Sequence, residues 1–251
     1  MREPMKSSIP IAMPDLTMDG LCYRVEEKDI LHGLTASIRD NRIGIVGRNG
    51  SGKSTLARLI TGLISPTAGT VRLNGTDLSH NRKAALSEVG ILFQNPDHQI
   101  IFPTVEEEIG FGLRQQGRTK DDATATTQHV LDQFGKPHWA QAHVSTLSQG
   151  QKHLVCLMSV VAMRPNMIVL DEPFTGLDIP TKAQLVRYLS HYQGGLIHIT
   201  HDPADLAGYG QVIWLEKGTL TAVGDAHAVL ADYTAEMTKQ GGLDDISDLS
   251  S

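Results

Sequence analysis

Eight consecutive residues, Gly47-Arg48-Asn49-Gly50-Ser51-Gly52-Lys53-Ser54, set glycines, a lysine and a hydroxyl in the pattern G-x-x-x-x-G-K-[ST]. Glycines at this spacing let consecutive backbone N–H groups turn inward around an anion, and a helix starting there adds the partial positive charge of its N-terminus. The pattern points to nucleotide phosphates, with Lys53 neutralising the β- and γ-phosphates and Ser54 ligating Mg²⁺. A second candidate is Met167-Ile168-Val169-Leu170-Asp171-Glu172, an apolar run that ends in two carboxylates. At the carboxyl edge of a parallel sheet, Asp171 would hold Mg²⁺ directly or through its water, and Glu172 would orient and deprotonate an attacking water. On its own a strand ending in Asp-Glu is a weak signal, and the phosphate loop gives it weight.

Both motifs need strands that stop at one edge. The run RIGIV leads straight into the glycine-rich loop, and STLARLITGLI after it has helical spacing and stops at Ser65-Pro66. LCYRV and LTASI precede it as short β-type runs, and TVRLNG enters an Asn74-Gly75 turn, so a small antiparallel sheet is expected beside the first helix. EVGILFQ (88–94), MIVLD (167–171), LIHIT (196–200) and QVIWLE (211–216) read as further strands, the last three separated by helical stretches such as TKAQLVRYLSHY. Between about Thr104 and Met163 the character is helical throughout, opening on a Thr104-x-x-Glu107 capping box. The expected architecture is an α/β nucleotide-binding core with an antiparallel β subdomain and a helical insert. The boundaries read as an extended leader over 1–18, a catalytic domain over 19–237 with its helical part near 104–163, and a flexible acidic tail over 238–251.

The composition agrees with a globular chain of 251 residues: 40% hydrophobic and 20% charged, with a net charge of −6 that argues against a broad nucleic-acid footprint. Cys22 and Cys156 stand far apart in no metal-ligand spacing, which favours a reducing compartment such as the cytoplasm. None of the other ten of the 11 histidines falls in a metal or catalytic spacing, His201 is on its own more simply a surface or core polar residue, and Glu106, Glu107 and Glu108 read as a solvated helix start.

Between the two motifs lies Leu147-Ser148-Gln149-Gly150-Gln151, and with it the chain resembles the ATPase subunit of an ATP-binding cassette (ABC) transporter. This stretch is similar to the family signature LSGGQ, with Gln149 in place of the first signature glycine. Gln94 matches the Q-loop glutamine, Thr175-Gly176-Leu177-Asp178 the D-loop and His201 in ITHD the switch histidine. The motifs run in family order over about residues 15–230. The resemblance implies a P-loop NTPase fold of the ABC ATPase type that binds and hydrolyses Mg-ATP. It assigns nucleotide contacts to Gly47 through Ser54 with Thr55 and Gln94, metal contacts to Ser54, Gln94 and Asp171, and catalysis to Lys53, Glu172 and His201. It also implies a head-to-tail homodimer in which Ser148 and its neighbours close the partner's site, with Asp178 at the D-loop. Two positions depart from the family: Val25 stands where an aromatic residue usually stacks on adenine, and Phe174 where Thr or Ser is commoner.

FQNPDHQIIFPTVEEEIGFGL (93–113) carries a narrower resemblance, to the energy-coupling factor (ECF) branch that serves cobalt, nickel, biotin and other vitamin uptake. It implies coupling to a transmembrane scaffold through Asp97, Gln99 and Phe102, a separate substrate-binding membrane subunit, and a place on the cytoplasmic face of the membrane, with biotin or cobalt favoured as cargo. The alternatives are a soluble ABC ATPase without a transport role, an importer fed by a solute-binding protein, and a nucleotide-gated scaffold with slow turnover.

Overall fold

The computed structural model describes residues 13–241. Two sheets carry the fold. The smaller is antiparallel in the order β2-β1-β4-β5, built from β1 (Asp15–Val25), β2 (Lys28–Arg39), β4 (Ala68–Leu73) and β5 (Thr76–Asp77). Its last hairpin turns at Asn74 and Gly75, both at positive φ (51° and 79°), the backbone that an Asn-Gly pair adopts most cheaply. The larger sheet runs β10-β9-β3-β8-β7-β6, from β3 (Arg42–Val46), β6 (Val89–Leu92), β7 (Met167–Asp171), β8 (Gly195–Ile199), β9 (Gln211–Glu216) and β10 (Thr219–Asp225). Pairings from β9 through β3, β8 and β7 to β6 are parallel, and β10 closes the edge antiparallel. All five residues of β7 and of β8 are buried, as central strands covered on both faces require, whereas β10 is nowhere fully buried and alternates along its length.

The core under the phosphate loop joins α1 (Lys53–Ile60) to both sheets through Leu56, Leu59 and Ile60, packed with Leu16, Ile43, Ile45 and Leu73. A second core belongs to α3 (Val105–Gln115), α4 (Lys120–Gln133) and α5 (Gln149–Ala162). Val105, Ile109 and Leu113 line one face of α3 at four-residue spacing and are fully buried. Between Thr104 and Met163 the described elements are helical, apart from a single bridge pairing Thr104 with His143. α7 (Ala226–Gly241) packs Val229 and Tyr233 on Trp214 of β9.

Several expected limits move. β1 begins at Asp15, so the boundary placed at residue 19 falls within a strand paired on both sides. α1 stops at Ile60, short of Ser65: the Thr61 hydroxyl bonds back to Ala57 O at 2.9 Å and Gly62 turns to φ +66°. The run expected as a strand over 88–94 pairs over Val89–Leu92, because Glu88 ends α2 (Arg82–Glu88). Residues 238–241 continue α7, and the rest of the tail, like leader residues 1–12, lies outside the described residues. No described helix is long and apolar enough to cross a membrane.

Candidate functional site

The site gathers at the carboxyl ends of four adjacent strands, β3, β8, β7 and β6, which is where an open α/β sheet presents loops to a ligand. β3 delivers the glycine-rich loop. A Cβ at Gly47 would lie 2.0 Å from the Leu215 carbonyl oxygen, and one at Gly52, held at φ +103°, would lie 2.7 Å from Leu31 Cδ2. Only glycine fits at either position, so the loop can lie flat on β9 and β2. Gly52 caps α1 without a side-chain hydrogen bond, and the first α-helical bond runs from Leu56 N to Gly52 O. The first-turn N–H groups of α1 are thereby available to an anion. Ser51 Oγ is buried with no hydrogen-bond partner inside the same loop.

Lys53 is 6% exposed and donates Nζ to Gly47 O at 2.8 Å and to Arg48 O at 3.0 Å, so the ammonium crosses the mouth of the loop. Burial lowers its pKa from the ordinary lysine value, opposed in part by the charges of Glu172, Asp171 and Glu216. One residue on, Ser54 Oγ donates to Asp171 Oδ1 at 3.2 Å. Asp171 ends β7 at 8% exposure; burial raises its carboxyl pKa, the Ser54 bond works against this, and neighbouring Glu172 adds to it. A hydroxyl and a carboxylate held side by side form a hard-oxygen donor pair. It fits a divalent cation that takes one or two protein ligands and completes its shell from phosphate and water. Among the described residues no group of three or more His, Cys, Asp or Glu side chains is arranged to hold a metal on its own.

Glu172 is at φ +50°, a left-handed backbone that costs a non-glycine residue about 1 kcal/mol. Its N–H donates to Ile199 O at 3.0 Å, which ties the turn to β8, and its Oε2 lies 2.8 Å from His201 Nδ1 and accepts from Thr175 Oγ1 at 3.2 Å. The Glu172 side chain is 15% exposed and that of His201 56%, so an acid-base pair opens to solvent beside the Lys53 loop. This pair can orient and deprotonate a water directed at a phosphate bound by the loop.

Gln94 is exposed two residues past β6, beside the strand carrying Asp171; its main-chain carbonyl oxygen lies 3.0 Å from His153 Nε2. His153 is 1% exposed on α5, and its Nδ1 faces Gln149 O at 3.2 Å. Asp97, in the next turn of the Gln94 loop, pairs with Lys152 at 2.7 Å. Two consecutive residues of α5 therefore fasten this loop, a connection that spacing among the 11 histidines does not reveal. Ser148 and Gln151 form a capping box on α5: Ser148 Oγ accepts from Gln151 N at 3.3 Å, and Gln151 Oε1 accepts from Ser148 N at 2.8 Å. Leu147 packs on the helical core, Gln149 is exposed, and Gly150 abuts α6 (Ile179–Ser190), where a Cβ added to it would lie 2.6 Å from Thr181 Cγ2. Asp178 caps α6 by accepting from Thr181 N at 3.0 Å.

Gln99, expected to face a membrane partner, points inward: its Oε1 accepts from Phe93 N and its Nε2 donates to Ile91 O. It seats the loop on β6 because the extended chain there leaves those two backbone groups unpaired by a neighbouring strand. Glu108 likewise departs from a solvated helix start. It is 5% exposed and Oε2 accepts from Ile101 N and Phe102 N, both at 3.0 Å, while Glu106 accepts from Gln141 and Glu107 completes the Thr104 box. Phe102 packs its ring on Phe111 at 5.0 Å, and Ile101 beside it is 65% exposed. Val25 is exposed at the end of β1, while Tyr23 packs on the core beneath the small sheet. Phe174 meets His198 edge-on at 5.2 Å; burial lowers that histidine's pKa to about 4, so its ring is neutral.

Comparison with known proteins agrees with this geometry. A family model described as ABC transporter matches residues 31–175. A biotin transport ATP-binding protein of Rhodobacter capsulatus is 47% identical over 208 residues, covering 83% of this chain and 89% of that protein. An energy-coupling factor transporter ATP-binding protein of Enterococcus faecalis is 32% identical over 240 residues, covering 92% of this chain and 85% of its own length. The solved structure of cbiO1 from Clostridium perfringens, part of an ABC transporter complex, matches with a TM-score of 0.72 at 27% identity over 88% of this chain and 92% of that one. From the loop at Gly47 to the carboxylates at the end of β7, this chain belongs to the ABC transporter family, among its ATP-binding subunits.

Proposed function

We propose that the protein binds Mg-ATP and hydrolyses it to drive an ECF-type importer, with the residues at the carboxyl edge of the large sheet in the following roles. The loop from Gly47 to Thr55 wraps the phosphates with backbone N–H groups, and Lys53 trades its carbonyl contacts for phosphate oxygens. Ser54 and Asp171 would hold Mg²⁺, with Gln94 near them, and the ion would supply charge neutralisation for the phosphates. Glu172 accepts the proton of the attacking water, and His201 holds Glu172 in place and faces the γ-phosphate. The observation that carries this reading is the convergence of the Ser54–Asp171 and Glu172–His201 contacts on adjacent strand ends.

Two copies would pair head to tail, so that Ser148 and Gly150 of one complete the site of the other, with Gln149 and Gln151 beside them and Asp178 at the seam. A homodimer of this chain would hold two equivalent sites. Asp97 and Phe102, next to exposed Ile101, would meet a transmembrane scaffold on the cytoplasmic face of the membrane, and a separate membrane subunit would select the cargo. Two relatives named as biotin transport ATP-binding proteins, at 47% and 39% identity, favour biotin over cobalt.

Affinity capture of the tagged protein from mildly solubilised membranes of its source, with every co-purifying chain identified, tests this. Recovery of one scaffold and a small cargo-binding membrane protein, weakened by Asp97→Ala and Phe102→Ala, supports the ECF assignment. A permease whose binding ignores both residues, or soluble partners alone, would overturn it.

A further inference from the structure

Lys182, on the first turns of α6, touches the chain on both sides of the Glu172–His201 pair. Its Nζ lies 2.5 Å from Asp205 Oδ1 and 5.4 Å above the ring of Phe174, two residues after Glu172. The other oxygen of Asp205 accepts from Thr200 Oγ1 at 3.4 Å, and Thr200 Oγ1 in turn accepts from Asp202 N at 3.0 Å. Thr200 and Asp202 flank His201, so one hydroxyl clamps the turn at whose apex the histidine sits. The Asp205 side chain is 12% exposed against 39% for Lys182, which puts the ion pair under partial cover, where it is screened less than a surface pair. Phe174 completes the link by standing edge-on to His198, three residues before His201.

Backbone bonds from Glu172 N to Ile199 O and from Thr200 N to Ile45 O hold the main chain just past β7 and β8, while the side chains of Glu172 and His201 depend on what packs beyond. Glu172 stands at positive φ, a conformation that persists only where the surroundings over-determine it. We infer that Lys182 is a positioning residue for ATP hydrolysis, holding Glu172 and His201 in register by bracing Phe174 on one side and the Asp205–Thr200 chain on the other. Lys182 acts on the site only through Asp205 and Phe174. The inference rests on the reading of Glu172 as catalytic base.

The test is steady-state ATP hydrolysis by the full chain carrying Lys182→Met, Lys182→Arg, Asp205→Asn or Lys182→Met with Asp205→Asn, alongside Glu172→Gln and thermal melting of each. Lys182→Met keeps the stem of the side chain and loses the charge. It should lower kcat about tenfold with KM for ATP within about twofold, as expected when a catalytic group is misplaced by a fraction of an ångström. Lys182→Arg should restore most of the rate, and the double variant should be no slower than either single one, because the two residues act as one unit. Wild-type kcat in Lys182→Met, equal losses in Lys182→Met and Lys182→Arg, or additive losses in the double variant would overturn the inference. If Glu172→Gln still hydrolyses ATP, the underlying assignment of the base falls; if it is inactive while Lys182→Met is unaffected, the positioning role alone falls.

Discussion

Ser54 and Asp171, 117 positions apart in the chain, meet through a hydrogen bond of 3.2 Å from hydroxyl to carboxylate. Their meeting depends on β8 running between β3 and β7, parallel to both, so that the start of α1 and the end of β7 reach the same edge two strands apart. The contact would serve the proposed cation site at the cost of a buried carboxylate, and that cost can be measured.

Burial raises the Asp171 pKa, so the native state binds its proton more tightly than the unfolded chain does. Stability of the nucleotide-free protein should therefore fall as pH rises from the ordinary aspartate value through the raised one. Asp171→Asn should remove this dependence and melt higher than the native chain at neutral pH, while Mg-dependent hydrolysis is lost. Melting curves at several pH values check the first outcome and a Mg²⁺ titration of activity the second.

Lys53 gives the glycine-rich loop two donated bonds before any phosphate arrives. Lys53→Ala should weaken ATP binding by about 10- to 100-fold, the worth of a charge-assisted contact. Fluorescent-nucleotide titration measures it, with circular dichroism to show that the fold persists.

Ser148 caps α5 within one subunit and is assigned to the partner's nucleotide in the dimer. Ser148→Ala should cost about 1 kcal/mol of stability through the lost cap and leave ATP binding to the monomer unchanged. It should also abolish the ATP-dependent dimer, read by analytical ultracentrifugation. Retained dimerisation would confine Ser148 to capping.

Glu108 holds the backbone of Ile101 and Phe102, the segment assigned to the membrane scaffold. Glu108→Ala should cost about 1–3 kcal/mol by leaving both N–H groups without their acceptor, seen as a lower urea midpoint, and should weaken scaffold capture. Glu108→Gln, which still presents an acceptor oxygen, should lose less of each.

The strands that carry the chemistry are legible because central parallel strands demand unbroken apolar runs, and MIVLD and QVIWLE have them over the same residues that the structure pairs. The Thr104 capping box is legible because its two partners lie three residues apart. Glu108 is hidden because a glutamate in a first helical turn reads as solvated until the loop that folds back over it is known. His153 and Lys182 are hidden for a related reason: their partners lie 59 and 23 positions away, beyond any local pattern. The early stop of α1 at Thr61 reflects a hydroxyl returning to a carbonyl of its own helix, which competes with the helical spacing that runs on past it.

Hydrolysis by Glu172→Gln, measured under single-turnover conditions at saturating Mg-ATP, tests the central claim most directly. With Glu172 as base the variant should bind ATP as tightly as the native chain, form a stable ATP-bound dimer and lose hydrolysis by at least about 100-fold. Turnover at the native rate with normal binding would contradict the assignment and move the proton acceptor elsewhere.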